Sequence, residues 1–307
     1  MGGIRGEYPE LFPTGTSPHF FQPLRGKNID VEQLWRFVST YDYVAGDFMW
    51  TGIDHLGEAH WPMKSSSTGV IDTCGFRKDG FYFYQSQWTN KPVLHVFPHW
   101  SWKGKEGQII PVTCYTNCDT VELYLNDKAL GVKGFAFPRL GMEGKWSNYP
   151  ARARVMRTTG DRHLAWDVPY EPGTLRAVGT KDGKIAATVE VSTASAPAAI
   201  ALSADREVIA ADRSGLVHLT AQVLDDQSRL VPIADNLVSF SVEGEGILIG
   251  VDNGDPASHE DFRSNNRKAF NGLCLAIVRS TGKVGRIQVT ATSPTLKAAS
   301  VTITTKV

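Results

Sequence analysis

The residues best suited to do chemistry lie together in the stretch FMWTGIDHLGEAHW, residues 48–61. The stretch begins as an apolar run and turns polar directly after Trp50, where Asp54, His55 and Glu58 follow. An indole ring offers a flat apolar face and one N–H donor, which suits a sugar ring as well as a protein core. Read without further context, the Asp54–Glu58 pair suggests a general acid and a nucleophile.

Other polar side chains near this stretch offer weaker candidates. The run Lys64–Ser67 can donate hydrogen bonds to sugar hydroxyls or form a solvated loop. His55 and His60 follow Trp50 closely enough to face the same pocket. A Pro separates His95 from His99, so these two do not form a helical pair, and no third ligand stands at a metal-site spacing. A structural role at an interface is therefore favoured for His95 and His99.

Two further motifs point to structure rather than to metals or cofactors. The four cysteines, at positions 74, 114, 118 and 274, form no CxxC pair, which favours buried free thiols over a disulfide or a metal site. The stretch Asn253–Pro256 resembles part of a calcium loop, but the acidic spacing of such a loop is missing and a tight turn is favoured. The sequence predicts no metal and no cofactor.

Composition narrows the partners and the class of protein. Of 307 residues, 32 are Lys or Arg and 32 are Asp or Glu, so the net charge is zero and neither nucleic acid nor an anionic membrane is an expected partner. A hydrophobic fraction of 42% supports packed cores. No run reaches membrane-spanning length, and the first residues lack the apolar region of a signal peptide.

The first 92 residues read as an α/β segment. Apolar spacing predicts a helix over residues 31–42 and an apolar strand over residues 43–50 that leads into the polar stretch. A second helix is predicted over residues 79–88, with Asp79 as its N-cap and Lys78 in solvent. Helix, buried strand, functional loop and helix is the order of an α/β unit.

After Pro92 the pattern changes to alternating strands separated by Gly, Asn and Asp turns, as in antiparallel sandwiches. Asn126–Asp127 predicts a tight hairpin, and Pro172–Gly173 predicts a similar one. The small-residue stretch 192–204 predicts a domain junction. The predicted domains are residues 1–92, 93–195 and 196–307, the last two being β-sandwiches.

Three blocks of the sequence resemble glycoside hydrolase family 2, the β-galactosidase group. YDYVAGDFMWTGIDHLGE and the following residues, to Trp88, resemble the end of the catalytic (β/α)8 barrel of the family. The block from Pro92 to Gly131 resembles the Ig-like domain that follows the barrel, and GVDNGDPASHEDF with its continuation resembles a C-terminal domain of the same architecture. The resemblance implies a chain that is mainly β, with the last strand–helix part of a TIM barrel before two Ig-like sandwiches.

The resemblance also implies roles for single residues. Trp50 corresponds to the tryptophan that ends the eighth barrel strand, where it would stack on the sugar in the −1 subsite. Trp50, Asp54, His55, Glu58 and Lys64 are the predicted substrate-binding residues. For Asp54 a sugar contact and a loop-fixing role stay open; for Glu58 the structural role is favoured. The β-glucuronidases carry an Asn-x-Lys motif for the uronate carboxylate, which the stretch SSSTG lacks.

The two catalytic glutamates of the family come before this motif, on the fourth and seventh strands. The stretch Arg5–Tyr8 resembles one that follows the nucleophile, so the nucleophile is expected outside this chain, with Glu7 or Glu10 as a weaker alternative. The acid/base Asn-Glu pair has no counterpart in the sequence. No catalytic residue is therefore assigned, and the chain alone is expected to be inactive.

Two functions follow. The first is part of a retaining exo-β-glycosidase that hydrolyses terminal β-linked sugars. Its expected partners are a β-galactoside or related glycoside and the missing N-terminal barrel and sugar-binding domains. The second is a non-catalytic module of Ig-like domains that binds carbohydrate, for which the available aromatics are Trp146, Tyr149, Trp166 and Tyr170. A bacterial periplasmic or secreted location is expected from the resemblance.

Overall fold

The computed structural model describes residues 32, 35, 38, 43–46, 48–59, 61–135 and 162–307. Its chain is mainly β, which confirms the predicted class. The elements whose bounds fall wholly within these residues are α1 Asp79–Trp88, β1 Leu94–Phe97, β2 Ile109–Thr116, β3 Thr120–Leu125, β4 Lys128–Gly134, β5 Leu164–Pro169, β6 Thr174–Lys181, β7 Lys184–Ser192, β8 Ala199–Ala204, β9 Val208–Ala210, β10 Leu216–Leu224, β11 Leu237–Gly244, β12 Gly246–Asp252, β13 Asn266–Lys268, β14 Leu273–Ser280, β15 Gly285–Thr292 and β16 Ala299–Lys306.

The first seven strands form two sheets, in the orders β1-β2-β5 and β4-β3-β6-β7. The alternation of buried and partly buried residues explains why the two sheets pack face to face. Every second residue of β3 is buried, and these residues face the opposite sheet. The core between the sheets contains Val112 and Leu164 from one sheet and Leu123 and Leu175 from the other. The two sheets thus share one apolar core, as in a sandwich.

The remaining strands form a second pair of sheets, in the orders β12-β14-β10-β8 and β13-β11-β15-β16-β9. Strand β10, LVHLTAQVL, alternates strictly between partly buried and buried residues. Its Val217 and Leu219 meet Ile287 and Val289 of β15 in a core of their own. This second core is separate from the first, while the domain boundaries 1–92, 93–195 and 196–307 stay predictions.

The turn predictions divide into one success and one error. Asn126 and Asp127 have φ of 49° and 64° and join β3 to β4 as a tight hairpin, as predicted. Pro172–Gly173 does not close a hairpin, because β5 pairs with β2 and β6 pairs with β3 in the other sheet. That segment crosses between sheets, and Gly173 packs so closely on Asn126 that a Cβ would lie 1.7 Å from Oδ1 of that side chain.

The predicted strand over residues 43–50 is wrong, while the domain junction predicted over residues 192–204 stays a prediction. The small residues 192–204 include strand β8, since Ile200 and its neighbours pair with β10 despite their small side chains. Residues 43–46 and 48–50 form no strand. A strand needs a hydrogen-bonded neighbouring strand, and none of the sheets formed by the described residues includes this stretch. The TIM-barrel assignment of the first segment therefore stays a prediction.

The helix predictions fare better. Helix α1 covers residues 79–88 as predicted, and Glu32, Trp35 and Val38 have helical backbone. The predicted cap is wrong, because Lys78 is the N-cap residue and the Asp79 carboxylate instead lies 2.7 Å from Nε2 of His95.

The described residues that precede β1, which we call the early segment, pack against the first sandwich, the pair of sheets formed by β1–β7. The carboxylate of Glu32 accepts hydrogen bonds from the amide of Arg162 at 2.7 Å and from the hydroxyl of Tyr115 at 3.3 Å. Phe83 of α1 is buried against Tyr115, with ring centroids 5.2 Å apart. These contacts fix α1 and the loop before it on the sandwich.

Candidate functional site

Trp50 stands at the entrance of the polar stretch with most of its ring in solvent, 68% exposed. Its peptide bond to Thr51 is cis. The ring meets the imidazole of His55 edge to face, with centroids 5.9 Å apart and planes at 82°. The outer face of the indole is thus open beside a hydrogen-bonding side chain.

His55 begins a short hairpin, which we call the site hairpin (residues 55–59 and 61–66). Ser66 donates its amide to the carbonyl of His55 at 2.8 Å, and Gly57 donates to the carbonyl of Lys64 at 2.9 Å. The turn places Glu58 at positive φ, 49°. Its carboxylate, 70% exposed, lies 3.2 Å from Nε2 of His55. Glu58 and His55 therefore share one polar edge next to Trp50.

Asp54 faces the opposite way, into the protein. Its Oδ2 lies 2.6 Å from Nζ of Lys78, and both side chains are almost completely buried. Its Oδ1 accepts the amide of Gly69 at 2.7 Å. Burial raises the pKa of Asp54, while the Lys78 ammonium and the Gly69 amide act against that rise. Both carboxylate oxygens are thus engaged within the protein, and this geometry corresponds to the loop-fixing role.

Gly69 is required where Asp54 meets the chain that returns beneath it. A Cβ at Gly69 would lie 2.4 Å from the Asp54 amide nitrogen and 2.7 Å from Oδ1. Lys78 completes the brace by donating to the carbonyl of Ser67 at 3.2 Å. The prediction that Lys78 is solvated is wrong, because its ammonium balances the charge of a buried carboxylate.

Lys64 also points away from Trp50. Its Nζ lies 4.1 Å from the centroid of the Phe262 ring, and burial is the largest cause that lowers its pKa. Its amide donates to the carbonyl of Pro256 at 2.7 Å. The serines that follow, Ser65 and Ser66, are buried, so this run is not a solvated loop.

The structure therefore brings three of the five predicted residues together, Trp50, His55 and Glu58, and turns Asp54 and Lys64 elsewhere. A flat apolar face with an imidazole and a carboxylate at its edge can bind a polyol by stacking and hydrogen bonding. Sugar contact by all five residues stays a prediction.

The metal and cysteine candidates find structural places. Within the described ranges, no group of three or more His, Cys, Asp or Glu side chains is arranged to hold a metal ion. His95 stacks on Tyr82 with centroids 3.8 Å apart, and His99 stacks on Trp102. The cysteines are free thiols, three of them buried. His60, Glu7 and Glu10 lie outside the described residues.

The turn at Asn253–Pro256 is a tight one with Gly254 at a φ of 76°. Asn253 is buried, donates its amide group to the carbonyl of Lys268 and accepts the amide of Asp255. The part of the chain that the structure describes contains no helix long and apolar enough to cross a membrane.

Comparison with known proteins shows which family this chain resembles. A family model described as glycoside hydrolase family 2 C-terminal domain 5 matches residues 200–302, and a domain of unknown function (DUF4982) matches residues 107–187. The β-galactosidase BoGH2A of Bacteroides ovatus is 42% identical over 272 residues, which cover 87% of this chain and 29% of that protein. The chain belongs to glycoside hydrolase family 2. What it carries of the family is the C-terminal part.

Other glycosidases also match most of this chain. A β-glucuronidase of Formosa agariphila is 26% identical over 89% of this chain and 26% of its own length. The crystal structure of a β-glycosidase from Bacteroides vulgatus matches 98% of this chain and 39% of that chain, with a TM-score of 0.80 and 30% identity. The chain thus spans well under half the length of these relatives.

Sequence reasoning missed several residues that hold the site hairpin, namely Lys78, Thr73, Asp252 and His259. Lys78 carried a usable signal, because a lysine directly before a helix rich in aromatic residues can be buried if a carboxylate faces it. The other three gave none, because Thr73 and Asp252 are 179 positions apart and meet only in the folded chain.

Proposed function

We propose that the protein to which this chain belongs is a retaining exo-β-glycosidase of the β-galactosidase type. The chain contributes one wall of its −1 subsite, with Trp50 as the stacking platform and His55 and Glu58 at its polar edge. The observation that carries this proposal is the exposed indole of Trp50 on a loop that a buried ion pair fixes from below. The relatives named above support the reaction class.

The surface around Trp50 supports a barrel that continues beyond this chain. Large apolar side chains are exposed throughout the early segment and form a set that a folded protein would normally cover: Tyr43, Phe48, Trp50, Ile53, Leu56, Trp61 and Trp88. Further barrel strands would cover part of this set and place other loops opposite Trp50. We infer that residues 1–92 are the last strand–helix part of that barrel.

The chemistry of such a site needs two carboxylates about 5–5.5 Å apart, one as nucleophile and one as acid and then base. Asp54 cannot serve as either while Lys78 and Gly69 occupy its oxygens. Glu58 is exposed, and its carboxylate lies 3.2 Å from Nε2 of His55. We therefore propose that the catalytic glutamates belong to the rest of the protein and that the chain alone is inactive.

The orientation of Lys64 bears on the sugar. A β-glucuronide carries a carboxylate that needs a cation within reach, but the Lys64 ammonium is buried against Phe262. A neutral sugar needs no such cation. We therefore propose a galactoside or another neutral glycoside as the substrate.

The non-catalytic reading has less support. Of its aromatic residues, Trp166 and Tyr170 are buried in the first core, and Trp146 and Tyr149 lie outside the described residues. A sandwich face that binds sugar by stacking needs exposed rings, which Trp166 and Tyr170 do not provide.

The test uses the whole enzyme that contains this chain. Trp50→Ala should lower kcat/KM on a nitrophenyl β-galactoside about a hundredfold, since loss of the platform misplaces the sugar. Trp50→Phe should lose less, because it keeps an aromatic face. Trp88→Phe is the matched control, an exposed tryptophan on α1. Unchanged kinetics in Trp50→Ala would refute the platform role, and turnover of glucuronides alone would refute the choice of sugar.

A further inference from the structure

The site hairpin touches a part of the chain nearly two hundred residues away. We call that part the docking loop (residues 253–265), which joins β12 to β13 in the C-terminal sandwich. The amide of Lys64 donates to the carbonyl of Pro256 at 2.7 Å. At the tip of the hairpin, Nε2 of His259 lies 2.7 Å from the carbonyl oxygen of Pro62.

Aromatic stacking joins the same two segments. The imidazole of His259 stacks on the indole of Trp61, with centroids 5.0 Å apart and planes at 29°. The rest of that indole is in solvent, since Trp61 is 83% exposed. His259 therefore fixes the tip of the hairpin by one polar contact and one ring contact.

The polar connection continues below the hairpin. The hydroxyl of Thr73 donates to Oδ2 of Asp252 at 2.8 Å. The other oxygen of Asp252 accepts from the guanidinium of Arg267 at 2.7 Å. Asp252 thus bridges the loop that returns from the hairpin and the C-terminal sandwich.

Arg267 anchors this arrangement in the sandwich. Its side chain is completely buried, and its second amino group donates to the carbonyl of Glu260 in the docking loop at 2.9 Å. One buried guanidinium therefore holds both Asp252 and the docking loop. Because the charge pair is buried and hydrogen-bonded, its geometry is fixed more firmly than that of a surface pair.

We propose that Asp252 and His259 are positioning residues for the sugar site. An isolated two-stranded hairpin is marginally stable in water, so the site hairpin needs a rigid support. The C-terminal sandwich supplies it at the tip through His259 and at the base through Asp252. The inference rests on the proposed function, because the hairpin carries His55 and Glu58 beside Trp50.

The first experiment measures amide hydrogen exchange of the hairpin in this chain. Thr73→Val with His259→Ala removes the side-chain contacts and leaves Asp252 paired with Arg267. Exchange at Gly57 and Ser66 should rise about tenfold, because fewer contacts hold the hairpin closed. Amides of β14 should exchange as before. Asp252→Ala is avoided, because it would leave the Arg267 charge buried without a partner.

The matched control is Thr290→Val. The Thr290 hydroxyl lies 2.8 Å from that of Ser300 on the neighbouring strand, so the variant loses one threonine hydrogen bond in the same sandwich but away from the hairpin. Unchanged exchange at Gly57 and Ser66 in Thr73→Val/His259→Ala, or an equal rise in Thr290→Val, would overturn the docking.

The second experiment measures kinetics in the whole enzyme. His259→Ala should lower kcat/KM about tenfold, and His259→Phe should recover part of the loss by restoring the ring stacked on Trp61. A hairpin that opens while kcat/KM stays unchanged would overturn the positioning role. If Trp50→Ala still lowers kcat/KM in that case, the proposed function stands and only this inference fails. If Trp50→Ala is also silent, both fail.

Discussion

The tryptophans of the early segment and those of the first sandwich show opposite environments. Trp100 is fully buried, donates its Nε1–H to the carbonyl of Glu171 at 3.0 Å and packs edge to face on Tyr170. Trp50 keeps two thirds of its surface in solvent and contacts a histidine edge. Tryptophan is therefore a packed core residue in one region, and in the other it is exposed and available to a partner or a ligand.

The charged pairs of the two regions differ in the opposite sense from the tryptophans. In the early segment the buried polar pair Asp54–Lys78 lies under exposed aromatic rings. In the first sandwich Trp100, Trp166 and Tyr170 are buried, whereas the Arg176–Asp127 pair is on the surface. We therefore expect the loop around Asp54 to depend on a charge pair more than the sandwich does.

The largest expected effect tests this contrast with one substitution in each region. Trp100→Ala should lower the free energy of unfolding by about 4 kcal/mol, because it leaves a large cavity in the core. Trp50→Ala should change it by less than about 0.5 kcal/mol, because the ring is exposed. Urea unfolding of both variants measures the difference. Equal losses would remove the distinction between the two tryptophans.

The buried pair gives the next effect. Lys78→Ala should destabilise the loop by about 3 kcal/mol, because the Asp54 carboxylate is left buried without its cation. The raised pKa of Asp54 allows it to take up a proton, which limits the loss. Hydrogen exchange of residues 52–78 measures the change, and Arg176→Ala, which breaks an exposed pair, should have little effect. A silent Lys78→Ala would mean that the loop does not depend on this pair.

Asp225 provides a smaller effect at the connection between the two sandwiches. Burial favours its neutral form, but amides of Ser195 and Arg229 and the Arg229 guanidinium donate to it and hold its pKa well below the usual range. Asp225→Ala should cost about 2 kcal/mol, because several donors lose a charged partner. Thermal unfolding measures the loss.

Asp212 is the control for Asp225. It accepts the amides of Ser214 and Gly215 in a similar turn but is exposed to water. Asp212→Ala should therefore shift the melting temperature much less than Asp225→Ala. Equal shifts would show that burial of the carboxylate adds nothing to these bonds.

The smallest effect is a pH dependence. Burial lowers the pKa of His99 to about 4 from an ordinary value of 6.5. Between these values the unfolded chain binds a proton that the folded chain does not, so stability falls as the pH falls. The loss from His99 should be about 1 kcal/mol between pH 6.5 and 5.5. His99→Phe keeps a ring against Trp102 and should remove this part of the slope; an unchanged slope would contradict the assignment.

Sequence patterns predicted the strands and hairpins whose signal is local. The alternation of β10 and the Asn126–Asp127 turn follow from neighbouring residues alone. Strand β8 was missed because its small residues resemble a linker, and it is a strand only because β10 pairs with it.

The site was predictable only in part for the same reason. Trp50 and His55 are five positions apart in the sequence, and their rings are in contact. The burial of Asp54 depends on Lys78, 24 positions away, and the support from Asp252 and His259 depends on contacts with the C-terminal sandwich. No local pattern encodes such contacts.

Activity of the isolated chain tests whether the catalytic glutamates lie outside it. Residues 1–307 are incubated with nitrophenyl β-galactoside and nitrophenyl β-glucuronide, and the whole enzyme serves as the positive control. We expect no turnover by the isolated chain, because we propose that the two catalytic glutamates lie outside these residues. Turnover by the isolated chain at a rate near that of the whole enzyme would contradict it, since the chain would then hold its own catalytic carboxylates.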